Sequence, residues 1–314
     1  MKAAQINAYG GGEVVEINEV TQELTPSAGK VLVQVYAAGV NPVDWKIREG
    51  YLKERVSLQF PATLGGDFAG VVKKVGEGVT DFKEGDEVYG QAGLVNNGSG
   101  SFAELAVADI NKIAPRPKML NYVETASLPL AAVSAWQGIG EHIQAATGKK
   151  ILIHGGAGGI GAFAIQIAKH LGAYVATTVS TADMQYAKEL GADEVINYES
   201  QHFWDLAHDY DAVFDASGSG PETYEKSFEV VKRGGIVVSM TEQPNDELAQ
   251  HYGVTTMRQS TDVTRQRLEK VAELVDQGVL KVEVDKVFPL EQAAEALTYL
   301  QTGHSKGKVV IKIK

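Results

Sequence analysis

The chain has 314 residues and a formal net charge of −11, from 29 basic and 40 acidic side chains. No Lys/Arg block stands out, which argues against nucleic acid or an anionic membrane as a partner. There is no cysteine, which excludes disulfides, thiolate metal sites and a cysteine nucleophile and suits the cytosol.

The N-terminal residues alternate like strands and lack a long apolar core, so no signal peptide is expected, and no apolar run is long enough to span a bilayer. Runs at 13–20 (EVVEINEV), 30–40 (KVLVQVYAAGV), 69–79 (AGVVKKVGEGV), 86–90 (DEVYG) and 101–107 (SFAELAV) follow. Gly, Asp and Asn turn signals separate them, and short strands at this spacing predict a compact β-rich lobe. Near Asn121 the texture changes to helical pieces around Pro129. Apolar strands then alternate with helices: KILIHGG, GIGAFAIQIAKHLG, YVATTVS, DMQYAKELGA, EVINY, DAVFDAS, ETYEKSFEVVKRGG and IVVSM. That order predicts a doubly wound parallel sheet covered on both faces, an α/β domain. Two amphipathic helices, in 264–280 and 290–303, then alternate with strands VDKVFPL and KVVIKIK. The expected divisions are 1–122, 123–255 and a return segment 256–314.

Within HGGAGGIG, Gly156, Gly158 and Gly161 fit G-x-G-x-x-G between a strand and a helix. The first Gly allows a tight turn, the second lets a pyrophosphate reach the backbone, and the third lets helix and strand pack closely. Ala157, Gly159 and Ile160 complete the turn, and the free N–H groups of the following helix would meet the phosphates. Ile160, Phe163, Ala164, Ile167, Ala168 and Leu171 form a stripe expected to face the sheet. The next strand ends at Val179 without the carboxylate that would bind a ribose 2′-OH. Thr178 and Ser180 offer hydroxyls instead, which favours NADPH; Asp183 reads as a helix N-cap.

Short-chain dehydrogenases place such a turn at the N-terminus and pair it with Tyr-x-x-x-Lys, and none of the twelve tyrosines here has Lys four residues later. The segments AAGVNPVDWKIREGY, PATLGGDFAGVVKKVGEGV, SLPLAAVSAWQGI, HGGAGGIGAFAIQIAKHLGA, LGADEVINY and GKVVIKI, in this order, resemble the medium-chain dehydrogenase/reductase superfamily, and within it the zinc-independent quinone oxidoreductase branch. The resemblance implies a GroES-like catalytic domain, a Rossmann nucleotide-binding domain and a C-terminal return to the first. It also implies a homodimer or homotetramer.

Zinc-using relatives place Cys after AAG, His in a GHE turn and a four-Cys lobe further on. Here those positions read Val40-Asn41-Pro42, Gly65-Gly66-Asp67 and the short loop GLVNNGSG. A catalytic metal is therefore not expected, and the substrate should be a quinone or an α,β-unsaturated carbonyl, already activated for hydride. The resemblance assigns Asn41 to the nicotinamide or substrate oxygen, and Tyr51 to the substrate pocket. It sets Ser134 near the nicotinamide ribose and Tyr198 near the 2′-phosphate. Ser217, in the strand end 214–218, is placed beside the adenosine and Thr241 on the nicotinamide side. Asp44 and Lys46 read as solvated charges, as do Lys306 and Lys308 before a C-terminal strand. Trp136 and His154 read as packed side chains. Two other functions stay open: a low-turnover NADPH-binding structural or sensor protein, and a zinc-free alcohol dehydrogenase.

Overall fold

The computed structural model describes all residues except 22, 56 and 304. It divides into two compact units.

The first unit takes in residues 1–130, 263–278 and 282–314. From the N-terminus come β1 (Lys2–Ile6), β2 (Val15–Glu19), β3 (Lys30–Val40), α1 (Pro42–Arg48), β4 (Ala62–Thr63), β5 (Asp67–Val75), β6 (Glu87–Gln91), β7 (Leu105–Asp109), β8 (Ile113–Pro115) and α2 (Tyr122–Ala126). β1 pairs with β2 and β4 in one antiparallel sheet. The unit extends past the expected break at 122 because α2 packs on β3 and β5. At Gly39 an added Cβ would lie 2.3 Å from the carbonyl oxygen of Ala126, so that contact requires a residue without a side chain.

The second unit is residues 131–262 with 279–281. Helix α3 (Pro129–Trp136) leads into it, followed by a π-helical turn, Gln137–His142. Then come β9 (Lys150–His154), α4 (Gly161–His170), β10 (Tyr174–Val179), α5 (Met184–Glu189), β11 (Glu194–Asn197), α6 (Phe203–Leu206), β12 (Tyr210–Asp215), α7 (Pro221–Val230), β13 (Val231–Ser239), α8 (Asp246–Tyr252) and β14 (Thr255–Arg258). Strand order is β11-β10-β9-β12-β13-β14, with every pairing parallel. This is the doubly wound arrangement, with the strand order reversing on either side of β9.

Two local readings change. Residues 231–235, read as the end of a helix, are the start of β13. The pairing with β12 skips there, from Tyr210↔Val231 to Ala212↔Ile236, and Gly234 at φ +82° lets the strand bulge. Helix α4 is buried over residues 161–168 rather than along one stripe. Its outer face meets the π-helical turn, and Gln166 exchanges hydrogen bonds with the backbone of Lys281. Trp136 is half-buried.

The chain returns to the first unit as α9 (Arg265–Asp276), β15 (Val284–Pro289), α10 (Ala293–Thr302) and β16 (Lys308–Lys312). The larger sheet of that unit runs β15-β16-β3-β5-β6-β8, with β7 also paired to β3. β16 lies antiparallel to β3 with Val309 opposite Val40. A core of Ile6, Val40, Leu64, Phe102, Phe288 and Leu297 fills beneath. Among the described residues no helix is long and apolar enough to cross a membrane.

Candidate functional site

In the first unit, β3 ends at Val40 and the chain turns into α1 through Asn41-Pro42. Proline at the first helical position needs no N–H partner, and Asn41 is the N-cap. Asp44, three residues on, accepts the backbone N–H of Asn41 at 2.8 Å, one half of a capping box. Asp44 is only 2% exposed. It is not the solvated charge expected from the sequence, because the cap turns its carboxyl inward.

Lys308 is likewise buried rather than solvated, at 5% exposure. The register that sets Val309 opposite Val40 carries Lys308 to the end of β3. Its Nζ donates to the carbonyl oxygen of Val40 at 3.1 Å and to Oδ1 of Asn41. Asn41 in turn donates from Nδ2 to Oδ2 of Asp67 at 2.9 Å. Asp67, fully buried, also accepts from Nε2 of Gln91 at 2.8 Å and from the N–H of Leu130 at 2.9 Å. The amide of Asn41 thus links a cation and an anion, with both polar ends engaged.

Burial perturbs all three charges. Asp44 is pushed up to about 7, chiefly by burial and further by Asp67, against the N–H of Asn41 and the charge of Lys308. Asp67 is also raised by burial, opposed first by Lys308. Lys308 is lowered by burial and held up by Asp67 and Asp44. Beside this network lies a small cavity lined by Asn41, Asp44, Leu64, Gly66, Gln91 and Leu94 among others. Tyr51 does not line it: it is 71% exposed, with its ring edge-on to Trp45 at 6.0 Å.

In the second unit, the glycine-rich turn joins β9 to α4. The tight bend falls on Gly155, at φ +73°, one residue before the motif; the doubled glycine of HGG was its signal. Gly155 and Gly156 both donate to the carbonyl oxygen of Thr178. At Gly161 an added Cβ would sit 2.1 Å from the carbonyl oxygen of Gly155, so close helix–strand packing is real there. At Gly158 it would meet only that same oxygen, at 3.3 Å. Gly156, Ala157 and Gly161 are buried, whereas Gly158, Gly159 and Ile160 are half-buried, and the N–H of Gly158 donates to the carbonyl oxygen of Gly155. The half-buried turn leading into α4 fits a pyrophosphate.

The remaining polar side chains of this unit divide into inward and outward groups. Ser134 is fully buried, 2.7 Å from Oγ1 of Thr261. The hydroxyl of Thr178 turns in towards Nδ1 of His154, 3.1 Å away, so it does not stand free at the strand end as a phosphate donor. His154 also lies 3.1 Å from Oγ of Ser227 and is lowered to about 4 by burial, against the charge of Asp215. It is neutral and packed. Ser217 and Thr241 are exposed at the ends of β12 and β13, and Ser217 Oγ donates to Asp215 at 2.6 Å.

Asp183 does not cap α5 with its side chain. It accepts instead from Oγ of Ser180 at 2.7 Å. Tyr198 is 51% exposed, and its phenol is raised by partial burial and then by the carboxylates of Glu199 and Asp183. Glu199 accepts from the N–H and hydroxyl of Thr181. The rim beyond β10 therefore carries two carboxylates alongside the hydroxyls of Ser180 and Tyr198.

Residues 27–118 match the alcohol dehydrogenase GroES-like domain family and residues 190–311 match the zinc-binding dehydrogenase family. The chain is 37% identical over 322 residues to the 2-methylene-furan-3-one reductase of Solanum lycopersicum, covering 99% of this chain and 79% of that one. It is 38% identical over 321 residues to the NADPH-dependent alkenal/one oxidoreductase, chloroplastic, of Arabidopsis thaliana, with the same coverage. The solved quinone oxidoreductase from Coxiella burnetii superposes with a TM-score of 0.91 at 31% identity, over 100% of this chain and 99% of that one. With this architecture, a dinucleotide turn between β9 and α4 and relatives matched along nearly its whole length, the chain belongs to the medium-chain dehydrogenase/reductase superfamily.

Proposed function

We propose that this protein is an NADPH-dependent reductase of quinones or α,β-unsaturated carbonyls that works without zinc. The observation that carries the reading is the ammonium of Lys308, bonded to Asn41 and within the field of Asp67 and Asp44. It supplies positive charge at the positions where zinc-using relatives set their ligands. Asn41 in place of a thiolate is a poor zinc donor, and no cluster of three metal-ligating side chains occurs among the described residues. Without a Lewis acid, the acceptors that suit the site are those whose own conjugation accepts charge.

The turn at 158–160 would hold the pyrophosphate of NADPH, with Gly156, Ala157 and Gly161 shaping it and Thr178 packed against it, and Ser134 would lie near the nicotinamide ribose. Ser180 and Tyr198 would face the 2′-phosphate, and Ser217 and Thr241 the rest of the dinucleotide. When bound, the reduced nicotinamide supplies the hydride. Asn41, through the network it joins, and Tyr51, from outside the cavity, are our candidates for orienting the acceptor, and the names of the relatives support enones and quinones. We also propose a homodimer or homotetramer working in the cytosol; light scattering after gel filtration measures the first, and imaging of the tagged protein the second.

The test is NADPH oxidation, followed by absorbance, over a panel of quinones and enones. Tight NADPH binding with no turnover on either class would point instead to a sensor. Activity should survive exhaustive chelation unchanged; a loss that zinc alone restores would sink the zinc-free reading. Because Asp183 shares Ser180 and places negative charge at the rim, Asp183→Ser should tighten NADPH binding about tenfold, or about 1.4 kcal/mol, with little change for NADH. Equal effects on both cofactors in calorimetry would remove Asp183 from the phosphate's surroundings.

A further inference from the structure

The buried network holds two carboxyl groups and one ammonium, and its hydrogen bonds are divided unequally. Asp67 accepts three N–H donors, from Asn41, Gln91 and Leu130. That is the environment of an anion, and with Lys308 nearby it forms a balanced pair. Asp44 accepts one, through Oδ2. Among the described residues, its Oδ1 has no hydrogen-bond partner. It lies on the side of Gly66, 3.9 Å from where a Cβ on that residue would sit, and both residues line the cavity beside the network. A second buried negative charge there would have no cation of its own, so the proton of the network belongs on Asp44. The charged groups acting on it are Asp67 from β5 and Lys308 from β16.

We propose that the carboxyl group of Asp44 is the hydrogen-bond donor that meets the carbonyl oxygen of the substrate in this cavity. The inference rests on the reductase reading above. As hydride adds to the conjugated system, an electron pair moves onto the carbonyl oxygen. The O–H bond of Asp44 breaks and an O–H bond forms on the substrate, giving an enol or a hydroquinone hydroxyl. The Asp44 carboxylate then recovers a proton from water, and an enol tautomerises. A neutral carboxylic acid in an apolar site is a stronger donor than water and is already oriented, which is what a developing oxyanion requires.

The experiment compares wild type with Asp44→Asn and Asp44→Ala. Asn retains a donor and an acceptor for the cap, so Asp44→Asn guards against loss of folding; circular dichroism checks both variants. The acid form is the active one, so wild-type kcat should fall as pH rises through about 7. Asp44→Asn should lower kcat about tenfold and abolish that limb, and Asp44→Ala should lower it about a hundredfold, within the range of a general acid. NADPH affinity should not change.

A second readout needs no turnover. The carboxyl ionises near 3.8 unfolded and about 7 folded, so its contribution to stability is complete below about 4 and lost as pH rises through about 7. Wild-type melting temperature should carry that slope and Asp44→Asn should lack it. Wild-type turnover with the same rate and pH profile in Asp44→Asn overturns the role of Asp44 and leaves the reductase reading intact. Wild type that reduces neither quinones nor enones overturns both. The same melting slope in wild type and Asp44→Asn overturns the placement of the proton.

Discussion

Lys308→Met is expected to destabilise the protein by about 3–5 kcal/mol, the usual cost of removing one partner from a buried ionic network. Methionine fills the stem but strands Asp67, which is fully buried, and leaves Oδ1 of Asn41 without its donor. The sign of the pH dependence follows from the carboxyls, both raised by burial. Without the ammonium they are still harder to ionise, so the deficit should be largest at high pH and shrink as pH falls and they take up protons. Lys312→Met, exposed at the far end of the same strand, should stay within about 0.5 kcal/mol. Denaturant midpoints across pH 5–9 measure both. Equal, small effects would mean that Lys308 is solvated after all.

Gly161→Ala and Gly158→Ala should separate packing from phosphate binding. At Gly161 the new methyl group would lie 2.1 Å from one backbone atom of Gly155 and 2.7 Å from another. Backbone has to move, so a loss of about 1–3 kcal/mol is expected, as for other overpacked sites. NADPH affinity should drop with it, by at least about tenfold, because the displaced turn is the one that presents the N–H groups. At Gly158 the methyl group fits the unliganded fold, with its nearest neighbour at 3.3 Å. There the melting temperature should hardly move while NADPH affinity falls by about tenfold or more. Calorimetric unfolding with cofactor titration reads both. If Gly158→Ala binds NADPH normally, the pyrophosphate lies elsewhere.

Much of the architecture is legible in the sequence because its signals are local. The apolar run 151–153, the glycines at 155–161 and the alternation of strands with helices through Met240 each arise within a few residues of chain. Asp44 and Lys308 were not legible. A charged residue in a turn and a lysine before a terminal strand both look solvated when only neighbours in sequence are considered. Their burial comes from the pairing of β16 with β3 and from the N-cap of α1, and Lys308 reaches Asn41 across 267 positions. Asp183 misled for a related reason. Its spacing before α5 suits an N-cap, but Ser180 competes for the carboxylate and holds it at the rim. The sequence offers the hydroxyl of Thr178 to a phosphate, yet the buried imidazole of His154 gives it a partner inside the sheet.

The first unit is assembled from three separated stretches, and its larger sheet has the last strand, β16, beside the long early strand β3. During synthesis, the second unit, residues 131–262 with 279–281, is complete and free to collapse while β3 still lacks that neighbour. Until Lys308 emerges from the ribosome, Asn41 and Asp67 have no ammonium beside them, and closing so long a loop is slow. The nascent chain is therefore expected to pass through a stage in which the second unit is formed and the unit bearing Asp44 is not. A ribosome-stalled chain ending near residue 303 should be protected from protease by NADPH within 131–262, while the segment around β3 is still cleaved.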